Sequence, residues 1–396
     1  MKSVYLDHAS TTKIDNAVFK KMVPFLLNNF GNPSSLHFVG RLAKATMEKA
    51  RADVARILQA NPQEIIFTGS GTESDNLALS GVAHKYKEYG KHIIVSKIEH
   101  KAVLESAKKL EKEGFEVSYI NVDKYGLVDT LELKKLLRPD TILISIIYAN
   151  NEIGTIQPMA KISKVIRSFR KNNAVPILHT DACQACGYLP INVKKLGVDL
   201  ISFNGSKIYG PKGIGILYVN NQVSLEPILC GGGQENGKRP GTENLAGIVG
   251  FAEAFKRADK QRNKNYLQSL KLRDYFIKKL MASIDGVTLS GHPKKRLPNN
   301  ISLIFKDIEG ESLVLMLDNK GICVSTGSAC SSGDLNPSHV LIAIGVPAKR
   351  AHGSLRITLG KYTNKKDINY VLKELPTIVN KLRKISSLEI KQKESD

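Results

Sequence analysis

Four short polar stretches of the sequence each follow an apolar run, and together they carry side chains capable of covalent and acid–base chemistry. A lysine amine can act as a nucleophile, a histidine and an aspartate can move protons, and backbone amides at a glycine-rich helix start can bind a phosphate. The four stretches and their polar residues are GSGTESDNLAL (69–79) with Gly71 and Thr72, IEHKA (98–102) with His100, HTDACQACG (179–187) with Asp181 and Gln184, and SFNGSKIYG (202–210) with Lys207.

Each of these residues also has a common structural explanation. A lysine after a strand is usually solvated, a single histidine is more often structural than catalytic, and an aspartate at a strand end usually forms a turn. Thr72 precedes Asp75 by three residues, a spacing that resembles a helix-capping box. Taken one at a time, the four stretches therefore identify no chemistry.

Taken together, the residues match the needs of a pyridoxal cofactor. Lys207 can form a Schiff base with an aldehyde, and the small residues before it leave room for a ring. Asp181 can pair with the ring nitrogen, and His100 can stack on the ring. Gly71 and Thr72, at the predicted start of a helix, can bind a phosphate.

A fifth stretch, VSTGSACSSGDLNPSHVL (324–341), places Cys330 among small and polar residues without helical or strand pattern. A thiol in such a predicted loop can reach a substrate as a nucleophile. The alternative is a buried cysteine that only packs, but the polar neighbours argue against it. Downstream, Arg356 in GSLRITLG (353–360) suits bidentate binding of a carboxylate, or equally a structural ion pair.

Short apolar runs that alternate with amphipathic segments must position these residues. Such alternation predicts an α/β fold with a mostly parallel sheet covered on both faces, and with its site at the carboxyl ends of the strands. Predicted strands are 64–68, 92–97, 116–122, 141–149, 175–181, 198–203 and 215–219, and predicted helices are roughly 41–58, 72–89, 101–113, 130–137 and 159–171.

From about residue 243 the pattern changes, which predicts a second, smaller lobe. Residues 243–284 read as one long helical region with a possible kink, and it would join the two lobes. A strand at 299–305, a helix near 309–319 and a last helix at about 366–385 follow.

Composition restricts the class of protein. No apolar run approaches the ~18 residues of a membrane span, and MKSVYLDHAS lacks an apolar signal region, which predicts a cytoplasmic protein. Five cysteines argue against a secreted disulfide scaffold. The net charge of +21 fits an acidic partner or RNA, but the dispersed lysines and 6% aromatic residues favour solvated helix faces.

Along nearly its whole length the sequence resembles the cysteine desulfurases of the NifS/IscS type, in the class V aminotransferase group of pyridoxal-phosphate enzymes. The matching stretches, in order, are YLDHASTT, FGNPSSLH, GTESDN, EHKAV, NNEIG, DACQ, SKIYGPKG, GGGQENGKRPGTEN, GSACSSG and LRITLG. The resemblance implies a fold-type-I transferase, with a large domain at 14–257 and a small α+β domain formed by 1–13 and 258–396. The small domain would carry the cysteine loop at about 324–336.

The resemblance also implies the roles of the site residues. Cys330, Lys207 and His100 would be catalytic, Asn151 and Arg356 would bind the substrate carboxylate, and Thr242 would reach the phosphate in the neighbouring subunit of a homodimer. No resident metal is implied, although Cys330 could be a transient iron–sulfur ligand with a scaffold protein. The implied contacts to pyridoxal 5'-phosphate come from Lys207, Gly71, Thr72, His100, Asp181, Gln184, Asn204, Ser206 and Thr242.

The implied reaction takes sulfur from L-cysteine and leaves L-alanine and a persulfide on Cys330. Acceptors would be an iron–sulfur scaffold or a tRNA-thiolation protein, with no direct nucleic-acid or membrane binding. Alternatives are a selenocysteine lyase, another class V aminotransferase, or a basic RNA-binding or scaffold protein that keeps the fold without chemistry. Cys330 favours the desulfurase, since an aminotransferase needs no loop thiol.

Two positions depart from the family pattern. Asn204 stands where Ser or Thr is usual, and Ser206 stands where His is usual, so we expect weaker or rearranged phosphate binding. The other four cysteines, Cys183, Cys186, Cys230 and Cys323, are predicted to be packing residues because no second Cys-x-x-Cys pair completes a zinc site.

Overall fold

The computed structural model describes residues 3–327 and 336–393, with side chains described up to residue 385. Within these ranges the largest sheet has seven strands in the order β2-β8-β7-β6-β5-β3-β4. All neighbours are parallel except β8, which runs antiparallel to β2 and β7. The strands are β1 Val4–Tyr5, β2 Ile65–Thr68, β3 His92–Ser96, β4 Glu116–Ile120, β5 Thr141–Ser145, β6 Ile177–Asp181, β7 Leu200–Asn204, β8 Gly215–Val219, β9 Val287–Leu289, β10 Asn300–Phe305, β11 Ile322–Cys323 and β12 Ser354–Thr358.

Helices cover both faces of this sheet, as buried strands require. Its strands are short and rich in isoleucine, leucine and valine, and β3, β5 and β6 are buried throughout. The helices are α1 Asn16–Leu27, α2 Phe38–Leu58, α3 Gly71–Tyr86, α4 Lys101–Lys112, α5 Thr130–Leu136, α6 Met159–Arg170, α7 Val193–Leu196, α8 Leu245–Met281, α9 Gly310–Asp318, α10 His339–Ala343, α11 Ala348–Ala351 and α12 Lys365–Lys393.

The hydrophobic core is divided between the large sheet and a smaller three-stranded sheet. Two clusters of buried residues line the two faces of the large sheet, and a third packs around the antiparallel sheet β12-β10-β9. Helix α8 contributes Phe251 and Phe255 to the first core and Phe276 and Leu280 to the third. The two cores are therefore joined through one 37-residue helix.

The predicted elements are confirmed in type and order, and the differences lie at their ends. The predicted strand 141–149 ends at Ser145, because residues 146–152 leave the ladder and turn toward the site described below. The region 243–284 forms one continuous helix, without the kink that the sequence pattern allowed. Among the described helices, none has an apolar stretch of the length needed to cross a bilayer.

Candidate active site

The carboxyl ends of the parallel strands bring the predicted residues to one edge of the large sheet. Asp181 is the last residue of β6, and Lys207 follows β7 in a short 3-10 turn. His100 follows β3 and caps α4, with its Nδ1 accepting a hydrogen bond from the backbone of Ala102 at 3.1 Å. Gly71 begins α3, which follows β2. The strand–loop–helix pattern alone thus explains this convergence.

The N-terminal segment, residues 7–12, crosses this edge and contacts four of the predicted residues. The carbonyl of Ser206 accepts from Thr12 N at 2.8 Å and from Thr12 Oγ1 at 2.9 Å. The Lys207 Nζ donates to the carbonyl of Ser10, and Gln184 Nε2 donates to the carbonyl of Ala9 at 2.9 Å. Arg356 donates to Ser10 Oγ at 2.9 Å and to the carboxylate of Asp7 at 3.0 Å. Lys207 and Arg356 therefore both bond to Ser10. Sequence analysis assigned no role to this segment, although YLDHASTT belongs to the family pattern.

Beneath this segment lies a buried acidic cluster that includes a residue not predicted. The ligand atoms of Asp75, His100 and Asp181 all lie within 4.8 Å of one another. Burial, and then the nearby charge of Asp181, raise the pKa of Asp75 well above its ordinary value. Two carboxyl groups this close resist double ionisation, so Asp75 carries the proton. Because Asp75 is then neutral, the cluster is a poor site for a metal cation and suits a single protonated ring nitrogen.

A buried histidine, His179, lies next to this cluster. His179 lies two residues before Asp181 on β6, so both face the same side. Its ring nitrogens contact Ser145 Oγ at 2.8 Å and Ser202 Oγ at 3.0 Å. Burial lowers the pKa of His179 to about 4, so the ring is neutral at pH 7. The alternation of HTD could have indicated this residue, but its burial and partners come from neighbouring strands.

The start of α3 forms a narrow cradle beside Lys207. A Cβ on Gly71 would lie 2.7 Å from Cys183 Sγ and 3.3 Å from Asn204 Cβ, so only glycine fits. Asn204 Oδ1 accepts hydrogen bonds from the backbone and the hydroxyl of Ser206, both at 3.0 Å. The two residues that depart from the family pattern therefore bond to each other at this cradle.

The capping box that the spacing of Thr72 and Asp75 resembles is not formed. Ser70 is the N-cap, because its extended backbone places its Oγ 3.1 Å from the amide of Glu73, whereas Thr72 lies inside the first turn and is exposed. The packing role predicted for Cys230 is wrong, since its side chain is exposed. Cys183 and Cys186 are buried as expected, and Cys323 is partly buried.

A second group of polar residues lies on the outer side of the N-terminal segment. Arg356 is 2% exposed on β12, and its Nη1 approaches the carbonyl of Asn151 at 3.4 Å. Its Nε is buried without a hydrogen-bond partner within the described ranges. Next to Asn151, burial raises the pKa of Glu152 to about 7, despite a hydrogen bond from Ser338 Oγ at 2.5 Å. A buried N–H of Arg356 thus remains available for a carboxylate.

Besides the exposed Thr72, two predicted residues are not brought into these contacts. Thr242 lies in the exposed segment before α8, and no hydrogen bond joins it to the other site residues in the described part of the chain. Cys330 lies outside the described residues, which stop at Gly327 and resume at Asn336. The described flank Ser325 pairs with Arg356 through two backbone hydrogen bonds, at 3.2 and 2.7 Å. The segment that carries Cys330 thus begins beside the outer group.

The residues present fit pyridoxal phosphate. Lys207 supplies the amine, Asp181 supplies a carboxyl group beside the buried Asp75, and Asp75 Oδ1 is buried without a hydrogen-bond partner among the described residues, with His179 Nε2 at 3.6 Å. The bare amides at the start of α3, with no room for a Cβ at Gly71, suit a phosphate. Such a site on a mostly parallel sheet defines an α/β pyridoxal-phosphate enzyme of fold type I.

Comparison with known proteins gives the family. The class-V aminotransferase profile matches residues 4–371, so the chain belongs to the class-V aminotransferase family. The chain is 51% identical over 385 residues to a protein named cysteine desulfurase IscS from Dictyoglomus turgidum, covering 97% of this chain and 96% of that protein.

Two solved structures are also similar. One described as a NifS-like protein has a TM-score of 0.90 and 40% identity, and the alignment covers 96% of this chain and 100% of that chain. Another, described as SspA in complex with cysteine, has a TM-score of 0.77 and 34% identity over 91% of this chain and 99% of that chain. The fold-type-I architecture and the cofactor class are confirmed by these similarities.

Proposed function

We propose that this chain is a pyridoxal-phosphate-dependent cysteine desulfurase that converts L-cysteine to L-alanine and leaves the sulfur as a persulfide on Cys330. The observation that carries the proposal is the meeting of Lys207 and Arg356 at Ser10, beside the Asp75–Asp181 pair. An amine, a pair of acidic side chains and a guanidinium that can bind a carboxylate are thus grouped at one edge of the large sheet. Two similar proteins support L-cysteine as the substrate. One is named a cysteine desulfurase, and the other is described in complex with cysteine.

The proposed chemistry divides among the chain's own residues. When bound, the cofactor supplies an aldehyde that takes up amines and a ring that withdraws electrons from the substrate's α-carbon. Arg356 and Asn151 hold the substrate carboxylate, and Asp181 with Asp75 holds the proton at the ring nitrogen. His100 would stack on the ring and Gln184 would contact its hydroxyl oxygen, so both residues would orient the cofactor.

Sulfur transfer uses the thiol of Cys330. Its thiolate forms a new S–S bond with the substrate sulfur, and the bond from that sulfur to the β-carbon breaks. The electron pair of the broken bond stays with the carbon, which takes up protons and leaves as alanine. The atoms balance as cysteine plus enzyme thiol giving alanine plus enzyme persulfide, so no external oxidant is needed for this step.

The cofactor phosphate is held, in this proposal, by Gly71, Thr72, Asn204 and Ser206 of one subunit and by Thr242 of a second. A homodimer follows from the Thr242 role, and it predicts twice the mass of one chain in sedimentation. The persulfide then goes to an iron–sulfur scaffold or a tRNA-thiolation protein in the cytoplasm. The two cores joined by α8 support a division into domains at 14–257 and at 1–13 with 258–396.

Product analysis tests the function. Purified enzyme given L-cysteine and a reducing thiol should form alanine and sulfide in equal amounts. Cys330→Ser should lose both products while retaining the visible absorbance of bound cofactor, and Lys207→Ala should lose the native absorbance band and the activity. Formation of pyruvate without sulfide, or sulfide formation that survives Cys330→Ser, would contradict the proposal.

A further inference from the structure

Glu152 is a buried carboxyl group that contacts the described residues on both sides of the segment carrying Cys330. It lies in the NNEIG stretch after β5 and is 6% exposed. On one side, Ser338 Oγ donates to Glu152 Oε2 at 2.5 Å. On the other side, the same oxygen lies 3.1 Å from the position that a Cβ would take on Gly327. One oxygen atom is therefore adjacent to both ends of residues 328–335.

Both flanks are also fixed to elements that border the site. Before the segment, Gly327 N donates to Ser354 Oγ of β12 at 3.4 Å. After the segment, Ser338 caps α10 by accepting from Leu341 N at 3.2 Å, and His339 Nε2 contacts the carbonyl of Glu99 at 2.9 Å. These contacts leave the two flanks close together, with Glu152 between them.

Glu152 is itself held by the backbone around it. Its amide donates to Asn150 Oδ1 at 2.9 Å, and Asn150 in turn donates to the carbonyl of Ile98 at 2.8 Å. Its carbonyl accepts from Asn300 Nδ2 at 3.1 Å, and the buried Arg296 donates to the next carbonyl, of Ile153, at 2.7 Å. The carboxyl group thus extends from a segment tied to both sheets, which makes it a firm anchor.

We propose that Glu152 is a positioning residue that ties together the two ends of the Cys330 segment and so sets where the thiol meets the substrate. This inference rests on the proposed role of Cys330 as nucleophile. Glu152 adjoins Asn151 in sequence, so the residue that holds the flanks and a residue proposed to hold the substrate carboxylate share one short segment.

The test compares two reactions of the holoenzyme. Persulfide formation from L-cysteine needs Cys330, whereas loss of chloride from β-chloro-L-alanine needs only the amine and carboxylate sites, because chloride leaves unaided. Glu152→Ala should slow single-turnover persulfide formation roughly tenfold to hundredfold, the cost of a misplaced nucleophile, with chloride release within about twofold. The KM for cysteine should change little.

Conservative variants separate positioning from general damage. Glu152→Gln keeps an acceptor oxygen for Ser338 and should retain most of the persulfide rate. Ser338→Ala should slow persulfide formation as Glu152→Ala does, whereas Ser338→Thr, which keeps the hydroxyl, should retain the wild-type rate. The matched control is Glu64→Ala, which removes another buried carboxyl at the amino end of β2, where it accepts from Asn61 and Asn221. It should alter neither reaction.

Hydrogen exchange gives a readout that does not depend on turnover. In Glu152→Ala, amides in peptides that cover 325–327 and 336–342 should exchange about tenfold faster than in Glu152→Gln, while peptides of β10 should not change. An unchanged persulfide rate in Glu152→Ala and Ser338→Ala, or an equal loss of chloride release, would overturn the inference. Persulfide formation that never requires Cys330 would instead overturn the proposed function, while chloride release still reports an intact cofactor site.

Discussion

The inner and outer halves of the site are held in different ways. The inner half is the group Gly71, Asp75, His100, Asp181 and Lys207. Asp181 ends a strand, His100 and Lys207 follow strands, Gly71 begins α3, and Asp75 lies one turn further along that helix. The outer half is Asn151, Glu152 and Arg356 with the flanks of the Cys330 segment. Its key contacts join residues far apart in sequence, such as Asp7 with Arg356 and Glu152 with Ser338.

This difference indicates a division of labour between the halves. Parallel strands present the inner residues at one edge, so their relative positions are set by the sheet ladder and by buried hydroxyl contacts such as Ser202 to His179. The outer half depends on a few polar contacts between the two cores. A single substitution should therefore disturb substrate and thiol placement more easily than the inner framework.

The largest expected effect is at Arg356. Arg356→Gln removes a 2%-exposed guanidinium and leaves Asp7 unpaired, so kcat/KM for cysteine should fall roughly hundredfold or more, mainly through KM. Steady-state kinetics measures this change. The control Arg138→Gln removes an exposed guanidinium that pairs with Glu116 and Asp140, and it should change kcat/KM less than about twofold. Equal effects in the two variants would refute the assignment of Arg356 to the carboxylate.

A smaller effect is expected in the inner half at Gly71. Gly71→Ala places a Cβ 2.7 Å from Cys183 Sγ and narrows the cradle, so the cofactor affinity should fall about tenfold. Because the clash is with one sulfur atom, the double variant Gly71→Ala with Cys183→Ala should recover part of the loss, as a coupled pair does. Cofactor titration of the apoenzyme provides the measurement.

The control for this cradle is Gly233→Ala, where an added Cβ would meet no atom within 4 Å. It should leave the cofactor affinity unchanged. Strict additivity of the Gly71 and Cys183 substitutions would show that the close approach does not determine the affinity.

Sequence analysis predicted the inner half better than the outer half, for a physical reason. Strand and helix periodicity is local, so the order of the elements and the convergence of Lys207, Asp181 and His100 followed from the pattern. Buried polar contacts such as those of Asp75, His179 and Glu152 depend on neighbours that only the folded chain brings close. The cap-like spacing at Thr72 did not indicate the actual N-cap for a similar reason, because the backbone conformation, and not the spacing, selects Ser70.

The departure at Ser206 predicts a still smaller effect. Ser206 Oγ donates to Asn204 Oδ1, so the serine hydroxyl and the asparagine amide at the cradle are bonded to each other. Ser206→His restores the donor usual in the family, and the dissociation constant for the cofactor should fall a few-fold. The exposed Ser168→His serves as the control. An unchanged dissociation constant would count against a phosphate contact at this position.

The last expected effect is on stability rather than on cofactor or substrate binding, and it concerns Glu99, which lies between β3 and His100 at the junction of the two halves. Its Oε1 accepts from Ile147 N at 2.7 Å and from Ser96 Oγ, yet burial raises its pKa to about 8 from the ordinary 4.5. The folded protein therefore holds a proton that the unfolded chain releases, and the free energy of unfolding should fall as the pH rises from about 4.5 to about 8. A single such proton gives a slope of up to about 1.4 kcal/mol per pH unit.

Glu99→Gln should remove this contribution and flatten the pH dependence of the unfolding free energy, measured by denaturant titration. Glu152, with its pKa raised to about 7, contributes in the same direction but is fully ionised sooner. The difference between variant and wild type should thus persist between pH 7 and 8, where the contribution of Glu152 is already declining. Identical slopes in that window would contradict a protonated Glu99, and would mean that water reaches its carboxyl group at the junction between the halves.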